Sequence, residues 1–365
     1  MKLFSFTTVK DEADIIESFV RYNLNILDGM VISDNCSNDN TYDILLKLKE
    51  EGLNIYLLKD EDAYFDQTEK RQYLMDYTFK EFNPDIVFPL DADEFIAAYD
   101  NVNPRKIIET LDLNQLHKYR FENYVISKSD NEKELFIPKR MKTRRILVNN
   151  NSYVLKTIIP KAIYDKGVIL LMGAHNLEKN NNHELISSVL NNELFLAHFP
   201  VRSNIQIINK VIVGRLSNSS LHDRKENLGF HQYDVLDYYL KNGKIDSSEI
   251  IDISKRYGIK TEDKIKRCIH SPLSVEFCKN IKLKYTKNVN NELLLANTVK
   301  LSETIINRMR TKINKLEEDS KELMNEIELL KRDNNQLNMY IASIENSKSW
   351  KITKPLRNLK SIVKK

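Results

Sequence analysis

The sequence predicts an α/β fold: a mostly parallel sheet with helices on both faces, then a helical region, then a C-terminal coiled coil. Three observations predict it. Strand-like and helix-like segments alternate from Leu3 to Leu90, a short apolar run ends in the carboxylates of Asp91, Asp93 and Glu94, and an unbroken apolar heptad runs from Ile306 to Ile344.

Leu3 to Val9 is rich in β-branched and aromatic residues and reads as the first strand. Ala13 to Leu27 carries Ile16, Phe19, Val20 and Leu24 at helical spacing. Met30 to Ser33 is a second short strand, followed by a polar turn from Asp34 to Asn40. Thr41 to Glu51 is a helix, Leu53 to Leu58 a third strand, and Gln67 to Phe82 a helix leading into the strand before Asp91. Such βα alternation implies parallel strands whose carboxyl ends line one crevice. Lys10, Asp34 and Asp91 all fall at those ends. Beyond residue 117 the pattern loosens, with strand-like pieces at Val168 to Leu171 and Leu194 to Ala197; residues 231–295 read as helical.

Strand alternation would point Asp91 and Asp93 to one side, with Ala92 on the other. Two carboxylates so close repel each other unless a cation lies between them or one takes up a proton. Hard oxygen ligands at that spacing suit Mg²⁺ or Mn²⁺, which leave coordination positions free for phosphate oxygens.

Composition narrows the function classes. No run approaches the length of a membrane-spanning helix, and the N-terminus reads as a first strand rather than a signal peptide. Three widely spaced cysteines (Cys36, Cys268, Cys278) support neither a disulfide framework nor a zinc site, and a reducing cytoplasm is the expected home. From Ser347 to Lys365 there are seven Lys or Arg and no acid. This tail carries +7 of a net charge of +4, which leaves residues 1–346 at −3 and argues against a globular nucleic-acid binder.

In the heptad, Ile306, Ile313, Ser320, Ile327, Asn334 and Ile341 fall at position a, and Met309, Leu316, Leu323, Leu330, Leu337 and Ile344 at d. Ile at a with Leu at d favours a parallel homodimer, and Asn334 at a is a register-fixing device. Lys312 with Glu317, and Glu326 with Lys331, put opposite charges at successive g and e positions. The tail beyond mixes bases with Trp350, Leu356, Leu359 and Val363, with Pro355 at a first helical position. A basic amphipathic helix of this kind fits peripheral contact with an anionic membrane, here the inner face; a disordered basic tail is the alternative. The expected parts are therefore 1–230, 231–295, 296–346 and 347–365.

Several segments together resemble a known family. Val9-Lys10-Asp11-Glu12-Ala13-Asp14, Ile32-Ser33-Asp34-Asn35-Cys36-Ser37, and Pro89-Leu90-Asp91-Ala92-Asp93-Glu94-Phe95 resemble bacterial family-2-like glycosyltransferases of the subgroup whose donor motif reads DADEF. Gly173-Ala174-His175-Asn176 and Leu196-Ala197-His198-Phe199-Pro200-Val201-Arg202-Ser203 strengthen the likeness. The ending from Ser347 to Arg357 is similar to the tail of many bacterial surface-polysaccharide glycosyltransferases. The resemblance covers residues 1–215 and this tail.

It implies a GT-A fold, Rossmann-like, with a nucleotide-sugar donor (UDP foremost), Mn²⁺ or Mg²⁺, and transfer to a surface-polysaccharide or glycolipid acceptor with inversion. By the match, Asp91 faces the ribose or the metal, Asp93 ligates the metal, and His198 completes its shell. Asp34 contacts the nucleoside, Thr8, Lys10 and Glu12 lie on the neighbouring strand end, and Arg71 and Arg202 serve the base or diphosphate. His175 is a weaker ligand candidate. The sequence departs from the family in lacking a clear later Glu-Asp pair holding the general base; Glu94, Glu184 and Asp223 are the alternatives. Two rival readings are a metal-dependent phosphohydrolase and a non-catalytic coiled-coil scaffold with a vestigial GT-A domain.

Overall fold

The computed structural model describes residues 1–60, 67–149, 153–219, 230–259, 264–278, 281–286, 291–355 and 357. The chain divides into two compact units, Met1–Ser302 and Glu303–Lys365.

In the first unit, β1 (Leu3–Val9), β2 (Gly29–Asp34), β3 (Ile55–Lys59) and β4 (Ile86–Pro89) form the parallel half of a sheet in the order β4-β1-β2-β3. The helices between them are α1 (Ile16–Asn23), α2 (Thr41–Glu50) and α3 (Gln67–Phe82). Alternation along the strands builds two cores. Leu3, Met30, Ile32, Ile86 and Phe88 pack with Phe19, Ile44 and Leu48 from α1 and α2. Phe4, Phe6, Val31 and Val87 pack with Leu74, Met75 and Phe79 from α3. Successive residues point to opposite faces, so each strand needs a helix on both sides, which explains its near-continuous apolar run.

Past β4 the sheet becomes mixed. It continues through β5 (Glu94–Ala98), α4 (Pro104–Ile108), β6 (Leu116–Val125), α5 (Ile137–Arg140), β7 (Thr143–Leu147), β8 (Leu155–Pro160) and α6 (Lys161–Tyr164). β8 joins β4 to β6 by antiparallel pairing on both sides. A separate two-stranded sheet pairs β9 (Val168–Leu170) with β10 (Leu177–Lys179). β11 (Ser188–His198) then enters between β5, antiparallel, and β6, parallel. That insertion brings a late histidine beside an early acid.

α7 (Asn204–Ser219), α8 (Phe230–Asn242) and α9 (Ser247–Arg256) supply the third core, built on Ile207, Val211, Leu236 and Ile253. Residues 231–295 were expected to be helical and are only partly so. β12 (Ile265–His270) pairs antiparallel with β7 and extends the main sheet. Its apolar alternation is broken by Lys266 and Arg267 at a register shift, and charge is a normal device on an edge strand, so the strand pattern is weak in the sequence. The segment that follows is tied to α1. The buried Glu17 carboxylate accepts the backbone N–H groups of Lys284, Tyr285 and Thr286 at 2.8–2.9 Å. Burial alone would raise that carboxyl; those donors more than reverse it and hold it low.

α10 (Asn291–Asn346) is one continuous helix that carries the heptad, and the short α11 (Lys348–Ile352) follows. In the single chain the heptad residues are exposed: Ile313, Leu316, Leu323, Ile327, Leu330 and Ile341 are each about half accessible. In the tail, the Arg357 guanidinium stacks 3.6 Å from the Trp350 ring centroid. Leu356, Leu359 and Val363 lie outside the described residues. Among the described residues no helix is long and apolar enough to cross a membrane.

Candidate functional site

Parallel register brings the strand ends level. Val9 lies opposite Asp34 and Asp34 opposite Lys59, so the loops after β1, β2, β3 and β4 share one edge. At the β1–β2 end Asp34 is buried. Its Oδ2 accepts the Ser37 N–H at 3.1 Å, whereas Oδ1 is buried with no hydrogen-bond partner among the described residues. The Thr8 hydroxyl has none either. Unpaired buried polar atoms are costly and rare in native folds, and these two stand at the carboxyl edge of the sheet, where a ligand's groups could bond them. Lys10, expected at the donor, is committed elsewhere: its ammonium donates to the Asn35 and Cys36 carbonyls at 2.8 and 3.1 Å, clamping the two loops together.

Asp91 and Asp93 do not alternate along a strand as expected. β4 ends at Pro89, and the Glu94 N–H donates to the Asp91 carbonyl at 3.0 Å, closing a turn. Proline at the strand end cannot donate to the sheet ladder and sets up that turn. The two carboxylates consequently have different partners. Asp91, 38% exposed, forms an ion pair with Arg71 of α3 and lies 3.3 Å from the Lys156 ammonium. Asp93, buried, receives Lys210 of α7 at 2.6 Å, with His198 Nε2 at 3.6 Å and Arg202 at 3.9 Å from the same oxygen. Burial opposes its charge, but Lys210, His198 and Arg202 hold the carboxyl well below the usual carboxylate range.

Glu94, the first residue of β5, is buried. It accepts from Lys156 at 2.5 Å and from the Asp91 N–H at 2.9 Å. Burial pushes its carboxyl up even beside that ammonium. Across the sheet His198 lies opposite both Glu94 and Asn123. Its Nδ1 donates to the Asn123 side-chain oxygen at 2.6 Å, which orients the ring so that Nε2 faces Asp93 at 3.6 Å. Asp93, Glu94 and His198 thus place one ligand atom each within 4.8 Å of one another. Two carboxylates with an imidazole nitrogen fit a divalent cation such as Mn²⁺ or Mg²⁺. Asp91 belongs instead to the Arg71–Lys156 side of the corner.

Arg202 is the fixed point on the other side. Its guanidinium is buried and bonds Asp14 through Nε and a terminal nitrogen at 2.7 and 2.8 Å, and Glu12 at 2.5 Å. It is therefore spent on protein carboxylates rather than free for phosphate. Arg71 differs: one terminal nitrogen holds Asp91, and Nη1 is buried without a partner among the described residues. Arg202 and Asp14 also line a cavity of about 1320 Å³ that includes Lys128, Lys133, Arg140 and Lys244.

The remaining expectations lie apart from this corner. His175 donates to the Leu155 carbonyl at 2.7 Å. Glu184, named as a base, is exposed and paired with Lys179 beside the β9–β10 sheet. Its chemistry lacks a buried partner there. Asp223 lies outside the described residues. Sequence reading missed Lys156, Lys210 and Asp14. A signal existed for the lysines, since each interrupts an apolar run (Val154-Leu155-Lys156-Thr157-Ile158, and Ile207-Ile208-Asn209-Lys210-Val211-Ile212), where a lone lysine must find an acid.

No protein-family model and no curated protein matches the chain. Among solved structures it is similar to S. aureus TarS in complex with UDP (12% identity, 68% of this chain and 77% of that one, TM-score 0.33). It is also similar to a mannosyltransferase from Pyrobaculum calidifontis in complex with GDP-Man and Mn²⁺ (9%, 67% and 76%, 0.34). A third is GalNAc-T7 with UDP, GalNAc and Mn²⁺ (10%, 71% and 58%, 0.35). Likeness at those scores and identities decides nothing about activity, which rests on the corner itself.

Proposed function

We propose that this chain is a metal-dependent glycosyltransferase of GT-A type, moving a sugar from a nucleoside-diphosphate donor to a saccharide or lipid-linked acceptor with inversion. One observation carries this reading: Asp93, Glu94 and His198 converge at the carboxyl edge of a parallel sheet, the edge that also carries Asp34 Oδ1 and Arg71 Nη1, both without a hydrogen-bond partner among the described residues. The nucleoside bonds Asp34 and Thr8, and the diphosphate meets Arg71, near Asp91 and Lys156. Asp93, Glu94 and His198 hold Mn²⁺ or Mg²⁺, which when bound neutralises charge growing on the leaving nucleotide. The acceptor enters by the cavity beside Arg202 and Asp14. Of the three carboxylates named from the sequence for its hydroxyl proton, Glu94 is at the corner, where it serves as a ligand of the cation rather than as the base.

Calorimetric titration of UDP, dTDP and GDP, each with and without Mn²⁺, tests the reading. One nucleotide is expected to bind tightly only when Mn²⁺ is present. Absence of binding by all three in both conditions would leave the scaffold reading ahead.

The exposed heptad of α10 supports a parallel homodimer, and the Trp350-bearing basic tail supports contact with the inner membrane face. Chains ending at residues 302 and 346 test both in one series. Ending at 302 is expected to yield a monomer by sedimentation, whereas ending at 346 keeps the dimer and loses binding to anionic vesicles. A monomeric full chain, or unchanged vesicle binding, would remove the corresponding part.

A further inference from the structure

Three nitrogen-bearing side chains, the cations Lys210 and Arg202 and the imidazole of His198, converge on Asp93 Oδ2, and they differ in freedom. Arg202 is locked to Glu12 and Asp14 and is fully buried. His198 is held between β5 and β6 by strand pairing and by Asn123. Lys210 makes the closest contact, 2.6 Å, yet its side chain is 26% exposed; Asp93 is the carboxylate it bonds, with Glu12 the next acidic charge acting on it. Its ammonium lies on Asp93 Oδ2, the oxygen that also faces His198 Nε2 at 3.6 Å and so the one a cation bridging Asp93 and His198 would meet. An ammonium and a divalent cation cannot share that oxygen, because their repulsion in a largely buried site is weakly screened. Of Lys210 and Arg202, only the flexible lysine stem can withdraw toward solvent, because Arg202 is held by Glu12 and Asp14.

We propose that Lys210 is the exchangeable counter-ion of the cation site: its ammonium neutralises Asp93 until a divalent cation takes that oxygen, and then passes to the diphosphate of the nucleotide. This rests on the nucleotide-sugar reading above. The exchange makes binding of cation and nucleotide cooperative. The cation alone must displace Lys210, whereas cation and diphosphate together give the displaced ammonium a new anionic partner. Lys210 thereby penalises the cation alone and favours the pair, a combination that a purely structural lysine cannot produce.

The test uses the full chain and its Lys210→Met variant, with folding checked by thermal melting. Mn²⁺ is titrated alone, and UDP is titrated at saturating Mn²⁺. The variant is expected to bind Mn²⁺ about tenfold more tightly and UDP about tenfold more weakly, within the usual range of coupling between sites. Weaker or unchanged Mn²⁺ binding by a folded variant overturns the proposal. Should the variant not fold, the wild-type chain decides. Acylation of Lys210, followed by mass spectrometry, is expected to quicken on adding Mn²⁺ and slow again on adding UDP, and a rate indifferent to Mn²⁺ overturns the exchange. Wild type that binds neither Mn²⁺ nor UDP sinks the nucleotide-sugar reading and this proposal together. Wild type that binds both, without the opposed shifts, sinks this one alone.

Discussion

Replacing Arg202 by methionine is expected to lower stability by about 3–5 kcal/mol, the usual cost of stripping one partner from a buried ion pair. The guanidinium holds Asp14 in a bidentate pair, Glu12 at 2.5 Å and the Phe199 carbonyl at 3.0 Å. Methionine fills much of the volume and supplies none of these bonds. Arg202→Lys restores the charge but not the planar fork, so it should recover part of the loss. The cost should also depend on pH. Burial raises the Glu12 carboxyl to about 7, with Arg202 and Lys210 pulling against it. A raised carboxyl is neutral in acid and ionises as pH rises through its folded value, so its contribution to stability is lost in that window. Without Arg202 the ionised form has lost its main partner. The gap between wild type and Arg202→Met should therefore widen from pH 5 to pH 8, as read by urea unfolding at each pH. A gap below about 1 kcal/mol throughout would contradict the anchoring role assigned to Arg202.

Replacing Asp93 by asparagine is expected to lower sugar transfer at least about a hundredfold, in line with the loss of one preorganised electrostatic group from an active site. The change is nearly isosteric, so the turn closed between Asp91 and Glu94 should persist. What disappears is the anionic oxygen shared by Lys210, His198 and Arg202. Nucleotide binding without metal should not weaken, because Asp34 and Thr8 are untouched and Lys210 is released from Asp93, while its enhancement by Mn²⁺ should vanish. Asp93→Asn retaining that enhancement would place the cation elsewhere.

Much of the framework was legible in the sequence. The βα alternation from Leu3 to Pro89 and the long heptad-bearing helix are written in local periodicity, with period two for strands and 3.5 for the seam. So was the acidic strand end, because a run of Ile86, Val87, Phe88 and Pro89 followed by carboxylates places them at a sheet edge. The β12 strand was illegible because an edge strand tolerates charges that erase alternation.

The sequence by itself determined which carboxylates stand at the sheet edge and that a helix with an apolar seam follows. Tertiary structure alone decided how those carboxylates are neutralised. Glu94 meets a lysine 62 residues away, Asp93 one 117 away, and Glu12 an arginine 190 away. A periodic pattern records only which face of its own element a residue occupies. A buried charge instead takes whichever opposite charge the packing of distant elements delivers, because leaving it unpaired costs more than any local preference can offset.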